Sequence, residues 1–334
     1  MANPAPVAAL QAGHWFKLIC GASYQHLTSI RSLALAYALA GADCVDVAAD
    51  PAVVAIALQG LEAASRLSGR PRPWLMVSLN DGEDPHFRKA RFDPALCPPE
   101  CDRPCERICP ADAIAAGVLE DRCYGCGRCL PICPLGLISA DHHQHRPAEL
   151  LPQLLALGIE ALEIHTQIDR DAEFLATLEQ LRPWLGQLQL LAISCPEGEG
   201  AIAYLQRLAP RVQGLTPHLL WQADGRPMSG DIGAGTTLAT VRYAGQVLKH
   251  QLPGYVQLAG GTNAYTVAKL HQTGLLGRVA GIGFGSCART NLSALLEALE
   301  HRGGLLEDHP DLLSDAVHQA GELVIPLKTA PSAP

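Results

Sequence analysis

Eight of the chain's 12 cysteines fall between residues 97 and 133, in two runs that each close on Cys-Pro. The first reads Cys97-x3-Cys101-x3-Cys105-x3-Cys109-Pro110 and the second Cys123-x2-Cys126-x2-Cys129-x3-Cys133-Pro134. The second is the bacterial ferredoxin run residue for residue. Short loops let three thiolates wrap the corners of one 4Fe-4S cube, while the fourth, before proline, is directed to the other cluster. Two runs imply two cubes. Crossed ligation assigns Cys97, Cys101, Cys105 and Cys133 to one, and Cys123, Cys126, Cys129 and Cys109 to the other. The segments CERICPADAIAAG (105–117) and CLPICPLGLISAD (129–141) align at an offset of 24 residues, as the halves of a pseudo-twofold ferredoxin unit should. The first run carries one extra residue in each of its first two loops, which leaves its cluster either four-iron or three-iron. Zinc knuckles usually come as separated cysteine pairs, whereas continuous triplets closed by Cys-Pro favour iron-sulfur. Cysteines four apart could also line a helix, but Pro98, Pro99 and Pro104 forbid one.

Around this block the chain changes character. From His14 to about Arg91, and from about Arg146 to Arg302, short apolar, β-rich runs alternate with longer Ala/Leu-rich runs. Strands are expected at 16–20, 44–47, 74–79, 161–166, 188–194, 218–223, 255–260 and 279–284. Helices are expected at 27–40, 51–67, 147–157, 171–182, 199–209, 236–250, 263–273 and 290–301. The strand runs are nearly continuous in apolar residues, as parallel strands covered on both faces should be. Eight such units in sequence predict an α/β chain folded as a (β/α)8 TIM-like barrel, with a two-cluster, bacterial-ferredoxin-like unit inserted after strand 3. A doubly wound open sheet is the alternative. The expected division is 14–92 (barrel, strands 1–3), 93–140 (insertion), 141–325 (barrel, strands 4–8) and 326–334 (a flexible, Pro-rich tail).

Composition narrows the partners. With 48% hydrophobic residues the chain has ample material for a core, which excludes disorder as its main state. The formal charge of -8 offers no footprint for a nucleic-acid backbone. No stretch approaches the roughly 18 apolar residues of a membrane span, and the opening MANPAPVAALQAG lacks the basic n-region of a signal peptide. The expectation is a cytoplasmic chain, in which clustered cysteines point to metal or redox chemistry rather than to disulfides. The HHQH motif (His142, His143, His145) reads as a solvated turn.

The insertion follows the third strand and so should emerge at the C-terminal face of the barrel, above the mouth where such barrels bind ligands. The last two strands end in LAGGTNAY (258–265) and GIGFGSCAR (281–289), Gly-rich loops that open onto helices. Gly260, Gly261, Thr262, Gly283, Gly285 and Ser286 are candidates to cradle a phosphate-bearing ligand such as FMN, through backbone donors and a helix N-terminus. The same glycines would equally serve tight turns. SCPEGEG (194–200) and GRPMSGDIGAGTT (225–237) resemble loops of the dihydroorotate and dihydropyrimidine dehydrogenase families, FMN-binding barrels in which an Asn-x-Ser-Cys-Pro segment lies at the flavin. Here Ala192 stands at the Asn position. Cys195, Cys20, Cys44 and Cys287 read as packed thiols, and Asp46, Glu163 and His165 are given no chemistry.

Taken whole, the chain resembles the light-dependent period A (LdpA) family of cyanobacterial circadian-clock input proteins. The resemblance is carried by WFKLICGASYQHL (15–27), ALAYALAGADCVDVAADP (34–51), the eight-cysteine block, GRPMSGDIGAGTT and LAGGTN. It implies an iron-sulfur protein that senses the redox state set by photosynthetic electron flow. It further implies Kai oscillator proteins and their input kinase as partners, and no catalytic residue. Redox carriers such as quinone or ferredoxin would be the electron partners. Two functions remain open: a redox sensor, or an FMN-dependent oxidoreductase that uses the clusters as an electron conduit.

Overall fold

The computed structural model describes residues 5–142, 146–225 and 235–330. Ten strands are present among them: β1 (Trp15–Gly21), β2 (Cys44–Ala48), β3 (Trp74–Asn80), β4 (Arg88–Arg91), β5 (Ser139–His142), β6 (Ala161–His165), β7 (Leu190–Pro196), β8 (His218–Asp224), β9 (Tyr255–Ala259) and β10 (Gly281–Phe284). All but β4 and β5 pair in parallel and close a barrel, with β10 returning to β1. β3 is buried along its whole length, and β2 and β6 likewise, which is why those segments read as mostly apolar, with Asp46, Glu163 and His165 as the charged or titratable exceptions. Helices fill the crossovers, and Asp50 shows how one begins. Its side chain accepts from the N–H groups of Ala52 and Val53, and Pro51 occupies the first helical position.

β3 pairs directly with β6, Ser78 opposite Glu163 and Asn80 opposite His165, so the cysteine block adds no strand to the barrel. Its two ends are tied instead by the antiparallel ribbon of β4 and β5, Arg88 opposite His142 and Arg91 opposite Ser139. The insertion therefore stands on a short stalk at the C-terminal face.

Inside the barrel, an apolar plug of Trp15, Cys44, Trp74, Met76, Ala161, Leu190, Ala192 and Leu220 fills the N-terminal end. Trp15 and Trp74 meet edge to face at 5.9 Å. Above the plug the inward positions turn polar, which sets up the site below.

Three expectations need correcting. The helix placed at 290–301 is two, Ser286–Asn291 and Ser293–Arg302. The helix placed at 263–273 is only Thr266–Gln272. A flexible tail does not begin at 326: the last helix runs Pro310–Lys328, with Leu327 buried and Lys328 Nζ on the Asp43 carboxylate. A helix over Ala5–Ala12, not expected from the sequence, packs against β1.

Candidate functional site

The second cysteine run turns three times in seven residues because Gly125 and Gly127 take left-handed backbone angles, φ 76° and 73°. The first run lacks both glycines. Arg103, 24 residues before Gly127, nevertheless has φ 48°, and Asp112, 24 residues before Gly136 (φ 62°), has φ 45°. The internal repeat is thus written in the backbone, at a cost of roughly 1–2 kcal/mol for each non-glycine residue held there. The buried side chains repeat too, Cys105 with Cys129 and Ile114 with Ile138.

Every cysteine is a free thiol. Cys109 of the first run lines one cavity with Cys123, Cys126 and Cys129, closed by apolar groups including Ala90, Ala113, Ile114 and Leu130. Cys97 bonds Cys101 and feels Cys105, while Cys105 feels Cys133 of the second run. Cys97 and Cys101 lie half-buried at the surface. Backbone N–H groups point at two of the sulfurs, Ala113 N to Cys109 Sγ at 3.2 Å and Ala90 N to Cys123 Sγ at 3.3 Å.

Burial, and then the like charges of Cys126, Cys123 and Cys109, push the Cys129 thiol up to about 12. Cys133 goes the other way: burial opposes its thiolate, but the N–H groups of Leu137, Leu135, Ile138 and Gly136 outweigh it. The crowding of sulfurs that raises Cys126 and Cys129 suits a polycationic core, which removes the repulsion between thiolates. Among the described residues the only set of three or more ligand atoms within 4.8 Å of one another belongs to Asp84, His86 and His165, so no three cysteine sulfurs come that close. A single zinc, about 2.3 Å from each sulfur, would draw its ligands to about 3.8 Å apart. The donor set therefore fits a multi-iron core better than one zinc ion.

Below the insertion, the barrel mouth carries a buried charge network. Lys17, fully buried on β1, bonds Glu163 of β6 and lies 3.4 Å from Asp46 of β2. Glu163 also accepts from His165 Nε2 at 2.6 Å and from Gln222 Nε2 at 2.8 Å, and Ser78 donates to Asp46 at 2.7 Å. Burial alone would neutralise Glu163, but Lys17 and then His165 outweigh it and hold the carboxyl down to about 2. Burial likewise opposes the His165 cation, but Glu163 and then Asp84 raise it to about 9. Burial pushes Asp46 up to about 6 against the pull of Lys17. His86 Nδ1 meets Asp84 Oδ1 at 2.8 Å, so each imidazole has a carboxylate partner. Asp46, Glu163 and His165, given no chemistry from the sequence, thus line the mouth cavity together with His86, while their ion-pair partners Lys17 and Asp84 do not; the sequence singled out none of these last three.

Of the phosphate-loop candidates, Gly260, Gly261, Thr262, Gly285 and Ser286 line the mouth cavity. Gly283 does not. It faces the barrel interior, where a Cβ would lie 3.0 Å from Ile19 Cδ1 and 3.4 Å from Lys17 Cε. The Thr262 hydroxyl ties the two loops together, donating to the Gly283 carbonyl at 2.6 Å. The expected helix dipole is slight, because the helices that follow are only 7 and 6 residues long. Charge is supplied instead by Arg289, which was within a quoted motif but not singled out, and which lines the same cavity. Ala192 lies in the apolar plug, below the mouth. Cys195 is fully buried, and burial pushes its thiol up to about 12. His143, His145 and most of GRPMSGDIGAGTT (226–234) lie outside the described residues. Among those described, no helix is long and apolar enough to cross a membrane.

Comparison with known proteins gives three findings. Residues 97–144 match the family model described as the LdpA Fe-S cluster-binding domain, and residues 153–326 the Light dependent period A C-terminal domain. The chain is 62% identical over 331 residues to Light dependent period A of Synechococcus elongatus, covering 97% of this chain and 94% of that protein. Among solved structures, tryptophan synthase of Mycobacterium tuberculosis is 15% identical with TM-score 0.44, covering 97% of this chain and 95% of that one. Tryptophan synthase subunit alpha of Legionella pneumophila is 11% identical with TM-score 0.46, covering 98% and 99%. At that level of likeness no residue role transfers.

Proposed function

Because the chain belongs to the light dependent period A family, we propose that it is a two-cluster redox sensor acting in light-dependent period control. In this reading Cys97, Cys101, Cys105 and Cys133 hold one cluster, and Cys109, Cys123, Cys126 and Cys129 the other. The observation that carries it is the single cavity shared by Cys109 and the second-run cysteines, which is the arrangement crossed ligation requires. When bound, such clusters exchange single electrons and change charge. The chain's own residues supply the setting: Ala113 and Ala90 donate to ligand sulfurs, and an apolar shell limits water, both of which tune potential. The partners of this reading are the Kai oscillator proteins and their input kinase, with quinone or ferredoxin as electron carriers. Leu96, Ile132 and Leu135, exposed on the insertion, are apolar groups that such a partner could cover.

The flavin-oxidoreductase reading has one observation in its favour, the Gly-rich loops and Arg289 round the mouth, which would suit the phosphate of FMN. Against it, among the described residues Lys17, Glu163 and His165 of the mouth are committed to pairs with one another. Iron, acid-labile sulfide and flavin measured on one anaerobic sample decide between the two. The sensor reading expects about eight iron and eight sulfide per chain, or about seven iron if the first-run cluster is three-iron, and no stoichiometric flavin. A chain carrying one FMN would overturn it in favour of the oxidoreductase.

A further inference from the structure

Arg289 sits where the barrel mouth meets the cysteine insertion. It is 8% exposed, and its Nη1 donates to the Ile19 carbonyl at 2.8 Å. Its guanidinium carbon lies 4.1 Å from the centroid of the Tyr124 ring. Nε and Nη2 have no hydrogen-bond partner among the described residues. A guanidinium does not deprotonate, and leaving donors of a buried charge unpaired costs at least as much as an unmet neutral bond. The other charges of the cavity have partners: Asp46 has Ser78 and Lys17, Glu163 has Lys17 and His165, and Asp224 has Ser194 at 2.6 Å. Among the described residues nothing accepts from Nε or Nη2 of Arg289, and Gly260 and Gly285 line the same cavity.

Tyr124 gives this site a second property. It stands between Cys123 and Cys126, and its side chain borders both the mouth cavity and the cysteine cavity. We infer that the mouth binds a phosphate group beside the Arg289 guanidinium, and that the Arg289–Tyr124 stack makes its affinity depend on the redox state of the cluster held by Cys109, Cys123, Cys126 and Cys129. The coupling rests on the two-cluster reading; the binding does not. One electron from a low-potential carrier of the ferredoxin class adds one negative charge behind Tyr124, and no atom is transferred. The added charge weakens anion binding, and by linkage a bound phosphate makes that cluster harder to reduce by the same free energy. Couplings of this kind are typically 5- to 150-fold. A roughly tenfold effect is expected here, equivalent to about 59 mV for a one-electron couple.

The test uses the full chain with its clusters, anaerobic and in phosphate-free buffer. Binding of inorganic phosphate and of FMN is measured by calorimetry, with iron counted on each sample, and a mediated redox titration is run with and without saturating phosphate. Comparing the two probes separates free phosphate from a phosphate ester as the occupant. Arg289→Gln should weaken both at least tenfold with iron content unchanged. Gly285→Val provides a second check, which fills space and keeps the charge. A Cβ at Gly285 meets Arg289 Nη1 at 3.7 Å and Ile19 at 3.9 Å, so the added side chain intrudes on the cavity beside Arg289. Gly261 is unsuitable, with φ 92° and the Thr236 carbonyl 2.9 Å from its Cβ position. Tyr124→Leu should keep phosphate binding and lose the potential shift. The inference is overturned if the wild type binds neither probe, if Arg289→Gln and Gly285→Val both bind as the wild type does, or if saturating phosphate leaves the potential unmoved. Iron-free chain that still binds phosphate through Arg289 would instead mark a failure of the cluster reading and remove the coupling alone.

Discussion

Cys109→Ser should disturb the cluster held by Cys123, Cys126 and Cys129, although Cys109 belongs to the other run, costing roughly half of the bound iron if that cluster is lost and about one iron if it converts to a three-iron form. Cys133→Ser should do the reverse and spare the second run. The expectation follows from where the thiols stand. Cys109 shares a cavity with the second-run sulfurs, and Cys133 is the second-run thiol felt by Cys105. Serine keeps the size of the side chain but is a poor ligand for iron, so the fold of the short helices Pro104–Ile108 and Cys129–Ile132 should survive. Iron counting and the paramagnetic spectra of each reduced variant read the outcome. Spectra in which each substitution disturbs only its own run would refute the crossing.

Glu163→Gln should be the most damaging single substitution in the barrel. Glu163 is the common partner of Lys17 and His165, all three buried, and its loss removes the carboxylate they share, leaving Lys17 only Asp46 at 3.4 Å and His165 only Asp84 at 3.9 Å. Breaking a buried pair in this way typically costs about 3–5 kcal/mol. The same pair sets a pH dependence. His165 is raised above its unfolded value of 6.5 to about 9, so its contribution is fully present below pH 6.5 and is lost as pH rises through 9. At about 1.4 kcal/mol per unit, the wild type should lose on the order of 3 kcal/mol across that window. Glu163 is lowered from 4.5 to about 2, so its contribution is present above pH 4.5 and fades as pH falls toward 2. Urea unfolding followed by the fluorescence of the buried Trp15, Trp74 and Trp221 measures both effects. Glu163→Gln should flatten the alkaline slope as well as lower the midpoint. A variant within about 1 kcal/mol of the wild type would show that the network carries little stability.

The barrel was legible because its strands are buried on both faces. WLMVSL and LQLLAIS announce themselves by apolar continuity, and β3 and β7 begin and end within two residues of the expected bounds. The ribbon was not legible. RKAR and SADH show no alternation of apolar and polar residues, and they pair because the two ends of the insertion must return to the adjacent strands β3 and β6. The Fe-S cluster-binding character of the block was legible in its cysteine spacing, since short loops and Cys-Pro closures are local devices. The mouth was written less openly. Lys17, Asp46 and Glu163 are charges set in apolar runs, at positions that point inward with the strand period of two. That pattern could have marked them as a buried network, but their pairing is tertiary. Arg289 gave no sign, because an arginine on a short helix looks like a solvated one until Tyr124, from the insertion, is seen stacked on it.

In the proposed reading the cysteine block senses redox state through clusters whose oxidation state changes under cellular conditions. An anaerobic titration of the intact protein, stepped across the potentials of the cell's quinone and ferredoxin pools and followed by electron paramagnetic resonance, addresses it directly. The account predicts that at least one cluster changes state reversibly within that range, with the first-run cluster, whose two lengthened loops set it apart, the more responsive. Two clusters that remain in one oxidation state and intact from end to end of the titration would contradict it.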